Sequence, residues 1–360
     1  MGATLGRALL LPALWLVAAC AAGSGQPAAS QPAAAAPPAP APPAAAPAVS
    51  PTAVALGRVS AAHSIVSTGI TPLWLAEEQG LWQQHGLEVE LTLISGGPPS
   101  AAALIAGEVR FIHIADETAL TIQAREPDMV GVANYSAKQS QRLIVQPDVQ
   151  RAEDLRGKRV GVFTIGDGVQ AQWSKVLQRA GLSPERDVTW IAVGGGNQSG
   201  FVAALAAGAI DAALLLPPND LPALKNGARV LGELADFNLP HPGLPTYVMR
   251  RTLESQRPTV EAYLKGMIDG VRLFYSDPQL AKEALSRRTG ISDPDAIEAA
   301  YRAYSNGTFT DRPYVLLDNM RAAIDDVAPE NPDVLQVQLD RAYDNSVLQD
   351  IERQGYFARR

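Results

Sequence analysis

The amino-acid sequence predicts an α/β fold made of two lobes of similar construction. Short apolar or alternating runs, typical of strands, are interleaved with longer segments of helical periodicity. One arrangement occurs twice, at residues 87–115 and 188–216: a strand, a glycine loop, an alanine-rich helix, an Ala-Gly stop and a second strand. Beyond Arg250 the pattern is helical throughout. These three observations favour two α/β lobes followed by a helical segment.

The composition limits the classes of partner. The chain has 360 residues, a formal net charge of −7 and 47% hydrophobic residues. A mildly acidic chain is not expected to bind nucleic acid or an anionic lipid surface. The length that remains after the leader segments suits two compact lobes.

Residues 1–19 have the pattern of an export signal. Arg7 is the only charge, and the apolar core at 8–19 is too short to span a bilayer as a mature helix. Small residues precede Cys20, the only cysteine, so a disulfide or a thiolate-metal site is not expected. Residues 17–20 resemble the bacterial lipobox, in which the cysteine is lipidated. The alternative is an ordinary cleavage site with an incidental cysteine.

Residues 20–57 are almost entirely Ala, Pro, Gly, Ser and Gln. This composition cannot form a core, and its clustered prolines favour extended polyproline stretches. At ~3 Å per residue the segment could hold a folded domain up to ~100 Å from an anchor. We interpret it as a tether; a disordered leader without a spacing role has the same composition.

The first βαβ unit is predicted at residues 63–94. The apolar run 63–66 is predicted as a strand, followed by a helix that Thr71 caps and Pro72 begins. Gly86 provides the left-handed residue that ends a helix, and residues 87–91 alternate apolar and acidic as in a half-exposed strand. The loop 67–70 therefore follows a strand and precedes a helix, where ligands bind in open α/β sheets.

The rest of the chain completes two lobes joined by a two-strand hinge. Lobe one comprises 58–146 and, after lobe two at 147–245, the helical segment 246–360. Strands at 142–146 and 246–249 are predicted to cross between the lobes. Lobe two begins with a strand at 159–163, a loop at 164–168 and a helix at 169–180. An amphipathic helix is predicted from apolar residues spaced three or four apart, namely Val260, Tyr263, Leu264, Met267, Ile268, Val271 and Phe274. Further helices are predicted at 278–287, 294–304, 315–327 and 333–343.

Five segments in order, at residues 75–82, 86–90, 95–97, 104–109 and 154–162, resemble the nitrate/sulfonate/taurine type of ABC-importer substrate-binding protein. That family also includes binders of thiamine pyrimidine precursors. The likeness extends over about residues 58–305. It implies a type II periplasmic-binding-protein fold that closes on a small molecule and delivers it to a membrane permease with its ATPase.

The resemblance implies further properties. The protein would be an extracytoplasmic monomer without enzymatic activity, cofactor or metal, anchored to the membrane through lipid on Cys20. Arg110 departs from the family pattern, which has Asp at this position, whereas Asp211 keeps that pattern in the second copy. Because Arg110 begins a strand away from the crevice, we expect only a local surface change.

Carried over to this chain, the family's ligand-binding positions fall in the loops at strand ends. Glycines there would let the backbone approach a ligand, and hydroxyl and amide groups would orient it, although the same residues are common in ordinary turns. The predicted ligand-binding residues are Thr68, Ile70, Gly97, Asp116, Glu117, Ser136, Thr164, Gly166, Asp167, Gly168, Gly196, Asn197 and Asn219.

The loop charges favour a neutral or cationic heterocycle slightly over a sulfonate or nitrate. Asp116, Glu117 and Asp167 are acidic, and no Lys or Arg stands in the same loops. Tyr135 and Trp173 are candidate stacking surfaces. Trp173 is more typical of core packing, and the same holds for Trp74 and Trp82.

Other classes of function have weaker support. Residues 166–171 match G-x-G-x-x-A between a strand and a helix, but no acidic residue follows the next strand to hold a ribose, as a dinucleotide site requires. Pyrimidine-synthesising relatives use cysteines, and the only one here is Cys20. The four histidines have no close metal-ligand spacing. A ligand-sensing protein for a signalling partner is the main alternative; such a protein normally continues into a transmembrane helix and a cytoplasmic module.

Overall fold

Ten strands in two sheets organise the described part of the chain, which in this computed structural model comprises residues 55–163, 165, 168–193, 198–237, 243–329 and 331–358. The predicted signal segment, Cys20 and nearly all of the tether lie outside these residues. The strands are β1 (Gly57–His63), β2 (Leu87–Leu93), β3 (Phe111–His113), β4 (Met129–Ala133), β5 (Arg142–Val145), β6 (Arg159–Val162), β7 (Thr189–Ala192), β8 (Ala212–Leu215), β9 (Arg229–Glu233) and β10 (Thr246–Met249).

The two sheets repeat one topology. The first has the order β2-β1-β3-β10-β4 and the second β7-β6-β8-β5-β9. In each, three parallel strands come first and the fourth position holds an antiparallel strand that arrives from the other sheet. Because β5 follows β4 and β10 follows β9, the chain crosses twice, as the sequence predicts.

The helices cover both sheets, and most are near their predicted positions. Among the described residues they are α1 (Thr71–Glu78), α2 (Gly97–Ala106), α3 (Asp116–Gln123), α4 (Gly168–Arg179), α5 (Gln198–Ala206), α6 (Leu221–Lys225), α7 (Arg250–Ser255), α8 (Arg257–Ser276), α9 (Pro278–Thr289), α10 (Pro294–Ser305), α11 (Leu317–Val327), α12 (Leu339–Ala342) and α13 (Ser346–Arg353). None of them combines the length and apolar character that a membrane span requires.

Separate hydrophobic cores define the two lobes. Side chains from β1 to Tyr135 pack with those of β10 and the helices after it, and we call this part lobe one. Side chains between Leu143 and Phe237 form the core of lobe two. The predicted apolar face of α8 lies in the lobe-one core. The seven residues predicted for this face, of which Val260 is the first and Phe274 the last, are all buried. Trp74, Trp82 and Trp173 are also core residues, as expected.

Several local predictions are wrong. The first strand ends at His63 instead of covering 63–66, because pairing with β2 fixes β1 at residues 57–63 and leaves Ile65 and Val66 exposed. Thr71 does not cap α1; it is the first helical residue, after a 3-10 turn at Thr68–Ile70. The helix also ends at Glu78, earlier than predicted, although Gly86 does adopt the left-handed conformation with φ 78°.

Two further differences concern helices. The predicted loop at residues 116–118 is instead the first turn of α3. The helix predicted at 333–343 is divided into a 3-10 turn at Pro332–Gln336 and the short α12. The sequence interpretation also missed α13, whose buried residues Val347, Leu348 and Ile351 close the lobe-one core.

Candidate functional site

A cavity of about 190 Å³ lies where the two lobes meet. Its walls come from the loops after β1 and β3, from both crossing segments, and from α4 and α10. The lining residues are Ile65, Ser67, Gly69, Ala115, Glu117, Tyr135, Ser136, Lys138, Gln139, Ser140, Gln141, Gln172, Leu216, Gly243, Leu244 and Tyr304. A cavity of ~150 Å³ can hold benzene, so this one has room for a single substituted ring.

Hydroxyl, amide and aromatic groups make up much of the cavity wall. The first crossing segment, between β4 and β5, supplies Tyr135 and the polar run 136–141. Tyr135 is 1% exposed, and its hydroxyl donates a hydrogen bond of 3.0 Å to the carbonyl oxygen of Gly69. This bond connects the crossing segment to the first loop. The wall can therefore exchange hydrogen bonds with a ligand and offer an aromatic edge or face.

The first loop divides into residues that line the cavity and residues behind it. Ser67 and Gly69 line it, whereas the predicted Thr68 and Ile70 are 1% and 0% exposed, and Ile70 packs in the lobe-one core. The Thr68 hydroxyl has no hydrogen-bond partner among the described residues. The predicted Gly97 begins α2 and packs against Thr118, since a Cβ there would lie 2.6 Å from the Thr118 Cγ2. Thr68, Ile70 and Gly97 thus support the wall from outside it.

Asp116 and Glu117 are adjacent in sequence and have different surroundings. Asp116 is fully buried, and its Oδ1 accepts hydrogen bonds from the hydroxyls of Tyr247 and Tyr343, the latter at 2.7 Å. Burial raises the pKa of Asp116 to about 7. Asp116 is therefore a group of the lobe-one core and does not line the cavity.

Glu117 does line the cavity. Burial raises the pKa of its carboxyl, the negative charge of Asp326 adds to this, and the ammonium of Lys175 opposes it. Lys175 on α4 and Asp326 on α11 form an ion pair of 2.5 Å between the lobes. Glu117 is thus an acidic group inside the cavity, close to a junction between the lobes.

The predicted lobe-two residues are only partly described. Five of the predicted residues lie outside the described ones, namely Thr164, Gly166, Asp167, Gly196 and Asn197.

Two predicted lobe-two residues are described. Gly168 begins α4 and is exposed, and Asn219 is exposed on a turn. Asn219 borders a second, more open groove of about 540 Å³ between α5, α6 and the start of α10. Among the predicted ligand-binding residues that the structure describes, Glu117 and Ser136 line the cavity between the lobes.

The sequence interpretation missed several cavity residues. Lys138 lies at the cavity and donates a 3.1 Å hydrogen bond to the carbonyl oxygen of Asn306, so a cation is nearer than the loop sequences indicated. The polar run 136–141 between two apolar strands was a usable sign of this wall. No local pattern indicated Tyr304, which comes from α10 and depends on the packing of the helical segment.

Comparison with known proteins places the chain in a family. Residues 67–281, more than half of the chain, match the family model described as NMT1/THI5 like. The chain belongs to the NMT1/THI5-like family. A protein of Brucella abortus that is named as a binding protein is 35% identical over 148 residues, 41% of this chain. The match spans less than half, 43%, of that relative.

Solved structures resemble this NMT1/THI5-like protein in fold. The periplasmic aliphatic sulphonate binding protein SsuA of Escherichia coli has a TM-score of 0.64 and 18% identity, covering 81% of this chain and 92% of SsuA. The desulfurization enzyme DSZB has a TM-score of 0.63 and 16% identity, covering 83% and 100%. The predicted periplasmic-binding-protein fold is therefore confirmed, and this fold is found in both a binding protein and an enzyme.

Proposed function

We propose that the protein is an extracytoplasmic solute-binding protein that captures a small molecule between its lobes and delivers it to the permease of an ABC importer. The observation that supports this most is the cavity shared by both lobes, with walls formed by polar groups on either side of two crossing strands. The family and the fold of SsuA agree with it. The ligand class is sulfonate-, nitrate- or taurine-like, or a thiamine-pyrimidine-like compound.

The mechanism is closure about the two crossing segments. A ligand that contacts both lobes binds the closed form more tightly than the open one, and it shifts the population by this difference in affinity. The segments before β5 and β10 would absorb the backbone rotation, because the chain passes from one described sheet to the other there. The permease would then recognise the surface that both lobes form together.

Several finer parts of the proposal concern residues outside the described ones. Residues 1–19 would be the signal peptide, Cys20 the lipid-bearing residue and 20–57 the tether to the membrane. The lobe limits of 58–146 with 246–360, and of 147–245, also belong to the proposal, except that β5 lies in the second sheet and its side chains pack in the core of lobe two. Thr164, Gly166, Asp167, Gly196 and Asn197 would complete the ligand site from lobe two.

A sensory role and an enzymatic role are the alternatives. A sensory protein would close on its ligand in the same way, so co-purification with a permease or with a signalling protein distinguishes the two. An enzyme such as DSZB needs reactive groups at the ligand. Among the described lining residues there is neither cysteine nor histidine, which favours binding over catalysis.

The test is to identify the solute and observe closure. Protein purified from cells that express it would be denatured, and released small molecules would be identified by mass spectrometry. The solute would then be added back to ligand-free protein during small-angle scattering. We expect a smaller radius of gyration at saturation, and an unchanged profile with a compound proven to bind would contradict the proposal.

A further inference from the structure

Glu117 is the acidic side chain among the described residues that line the cavity between the lobes. It lies in the first turn of α3, and its position there is fixed by Asp116, which Tyr247 and Tyr343 hold in the core. The Glu117 carboxylate accepts a hydrogen bond from the Glu117 backbone N–H, and the charges of Asp326 and Lys175 act on it from nearby. A carboxylate has about four acceptor sites, so Glu117 can also accept hydrogen bonds from a ligand in the cavity that it lines.

Among the described lining residues, Glu117 carries a negative charge inside the cavity, and Lys138 carries a positive charge on an exposed side chain that water screens. Lys175 is paired with Asp326 at 2.5 Å, so this lysine is already neutralised by a carboxylate of lobe one. Lys138 is exposed, and its ammonium is bound to the carbonyl oxygen of Asn306. Neither cation forms an ion pair with Glu117.

A charge inside a closed cavity is stabilised only by an opposite charge or by good hydrogen bonds. A sulfonate placed in about 190 Å³ beside a carboxylate would face a repulsion that water screens poorly. An amidinium or ammonium group would instead form a charge-assisted hydrogen bond with it. Tyr135 and Tyr304 add aromatic rings, which also favour organic cations.

We infer that the ligand is a compact organic cation, about one ring in size, and that Glu117 determines the sign of the charge which the site accepts. This inference rests on the proposed function, and it favours the heterocyclic over the sulfonate ligand class. The sulfonate bound by structural neighbours is not carried over, since their identity to this chain is below 20%.

The test compares ligands that differ mainly in charge. Benzamidinium, neutral benzamide and benzenesulfonate would be titrated calorimetrically into ligand-free protein, together with a panel of one-ring ammonium compounds. The variants are Glu117→Gln, which removes the charge, Glu117→Asp, which keeps it, and Glu126→Gln as a control on an exposed residue of the same lobe. Thermal unfolding would establish that each variant is folded.

We expect cations of the panel to bind the wild-type protein and benzenesulfonate not to bind. Glu117→Gln should weaken cation binding about 10- to 100-fold, as the loss of a charged hydrogen bond does, while Glu126→Gln leaves it unchanged. Glu117→Asp should retain part of the affinity. Binding of benzenesulfonate, absence of binding by every cation, or equal cation affinity in Glu117→Gln would each overturn the inference.

The inference and the proposed function can fail separately. If the solute retained by the purified protein is an anion that still compacts the molecule in scattering experiments, the importer proposal stands and the assignment of charge is wrong. If no compound in the panel and no retained solute changes the scattering profile, the proposed function itself is contradicted.

Discussion

At the scale of single residues, two neighbouring carboxyl groups have different tasks. Asp116 accepts hydrogen bonds from Tyr247 and Tyr343 and so joins β10 to the segment after α12. Glu117 faces the cavity instead. Because the two residues follow each other on a helix, their side chains diverge by about 100° around its axis. The buried Asp116 thereby positions Glu117 at the cavity.

The raised pKa of Asp116 predicts a pH-dependent stability. Its ordinary pKa is 3.8 and burial raises it to about 7, so the folded state holds a proton that the unfolded chain releases. This stabilisation is present below pH 3.8 and is lost as the pH rises through 7, by at most ~1.4 kcal/mol per pH unit. Asp116→Asn keeps an oxygen acceptor and should flatten this decline. Thermal unfolding between pH 4 and 8 would measure it.

The pH dependence of stability in Asp116→Asn must be compared with that of the wild-type protein. A second buried group changes the free energy of unfolding with pH in the opposite direction. Burial lowers the pKa of His113 to about 3, so its contribution is lost as the pH falls below 6.5. The matched control is Asp318→Asn, since the Asp318 side chain is 94% exposed. If Asp116→Asn and the control have the same pH profile, Asp116 is not the titrating group.

At the scale of elements, close packing of α8 against α1 places the first loop of the site. A Cβ at Gly266 would lie 2.2 Å from Trp82, and one at Gly270 would lie 2.1 Å from the carbonyl oxygen of Pro72. Trp82 also donates a 2.9 Å hydrogen bond to the carbonyl oxygen of Tyr263. Helix α1 carries the turn Thr68–Ile70 at its start, so its position determines that of Ser67 and Gly69 at the cavity.

Gly270→Ala should therefore destabilise the protein. The added methyl group meets backbone, which cannot rotate away, so we expect a loss of about 1–3 kcal/mol in the free energy of unfolding. Denaturant titration would measure it. Gly168→Ala is the control, because a Cβ there meets nothing within 4 Å and the residue is already helical. Equal stability of the two variants would show that α1 and α8 can separate without cost.

At the scale of the whole molecule, ion pairs connect helices of lobe two with helices or helix starts of lobe one. Lys175 on α4 pairs with Asp326 on α11, and Lys225 at the end of α6 pairs with Asp293 before α10 at 3.2 Å. The first pair is the more buried, with each side chain 26% exposed. Partial burial reduces screening, so this pair should contribute more to closure than the second.

Lys175→Ala should shift the ligand-free protein toward open forms. An ion pair of this exposure is worth up to ~1 kcal/mol, about a fivefold change in the ratio of closed to open molecules. Small-angle scattering should show a larger radius of gyration than for the wild-type protein. Arg302→Ala removes a pair within α10 and serves as the control. An unchanged radius in Lys175→Ala would mean that this ion pair does not hold the lobes together.

Much of the architecture could be read from local patterns. The repeated strands and helices, the two crossing strands and the apolar face of α8 were all predicted, because periodicity acts within one element. The second glycine loop, at residues 194–196, lies outside the described residues and stays a prediction. The start of β1 and the cap of α1 were not predicted correctly, since pairing with β2 and the 3-10 turn set these boundaries. The residues at which a strand or helix begins and ends depend on contacts with other elements, and a local sequence pattern does not include these contacts.

The composition of the cavity wall was decided by tertiary structure. The sequence placed Asp116 and Glu117 in one loop, and only the burial of Asp116 against Tyr247 and Tyr343 separates their roles. Tyr304 reaches the cavity because α10 packs back on lobe one. A side chain's direction at the start of a helix follows from contacts with residues more than one hundred positions away. Local sequence therefore predicts where strands end, and long-range packing selects which groups face a ligand.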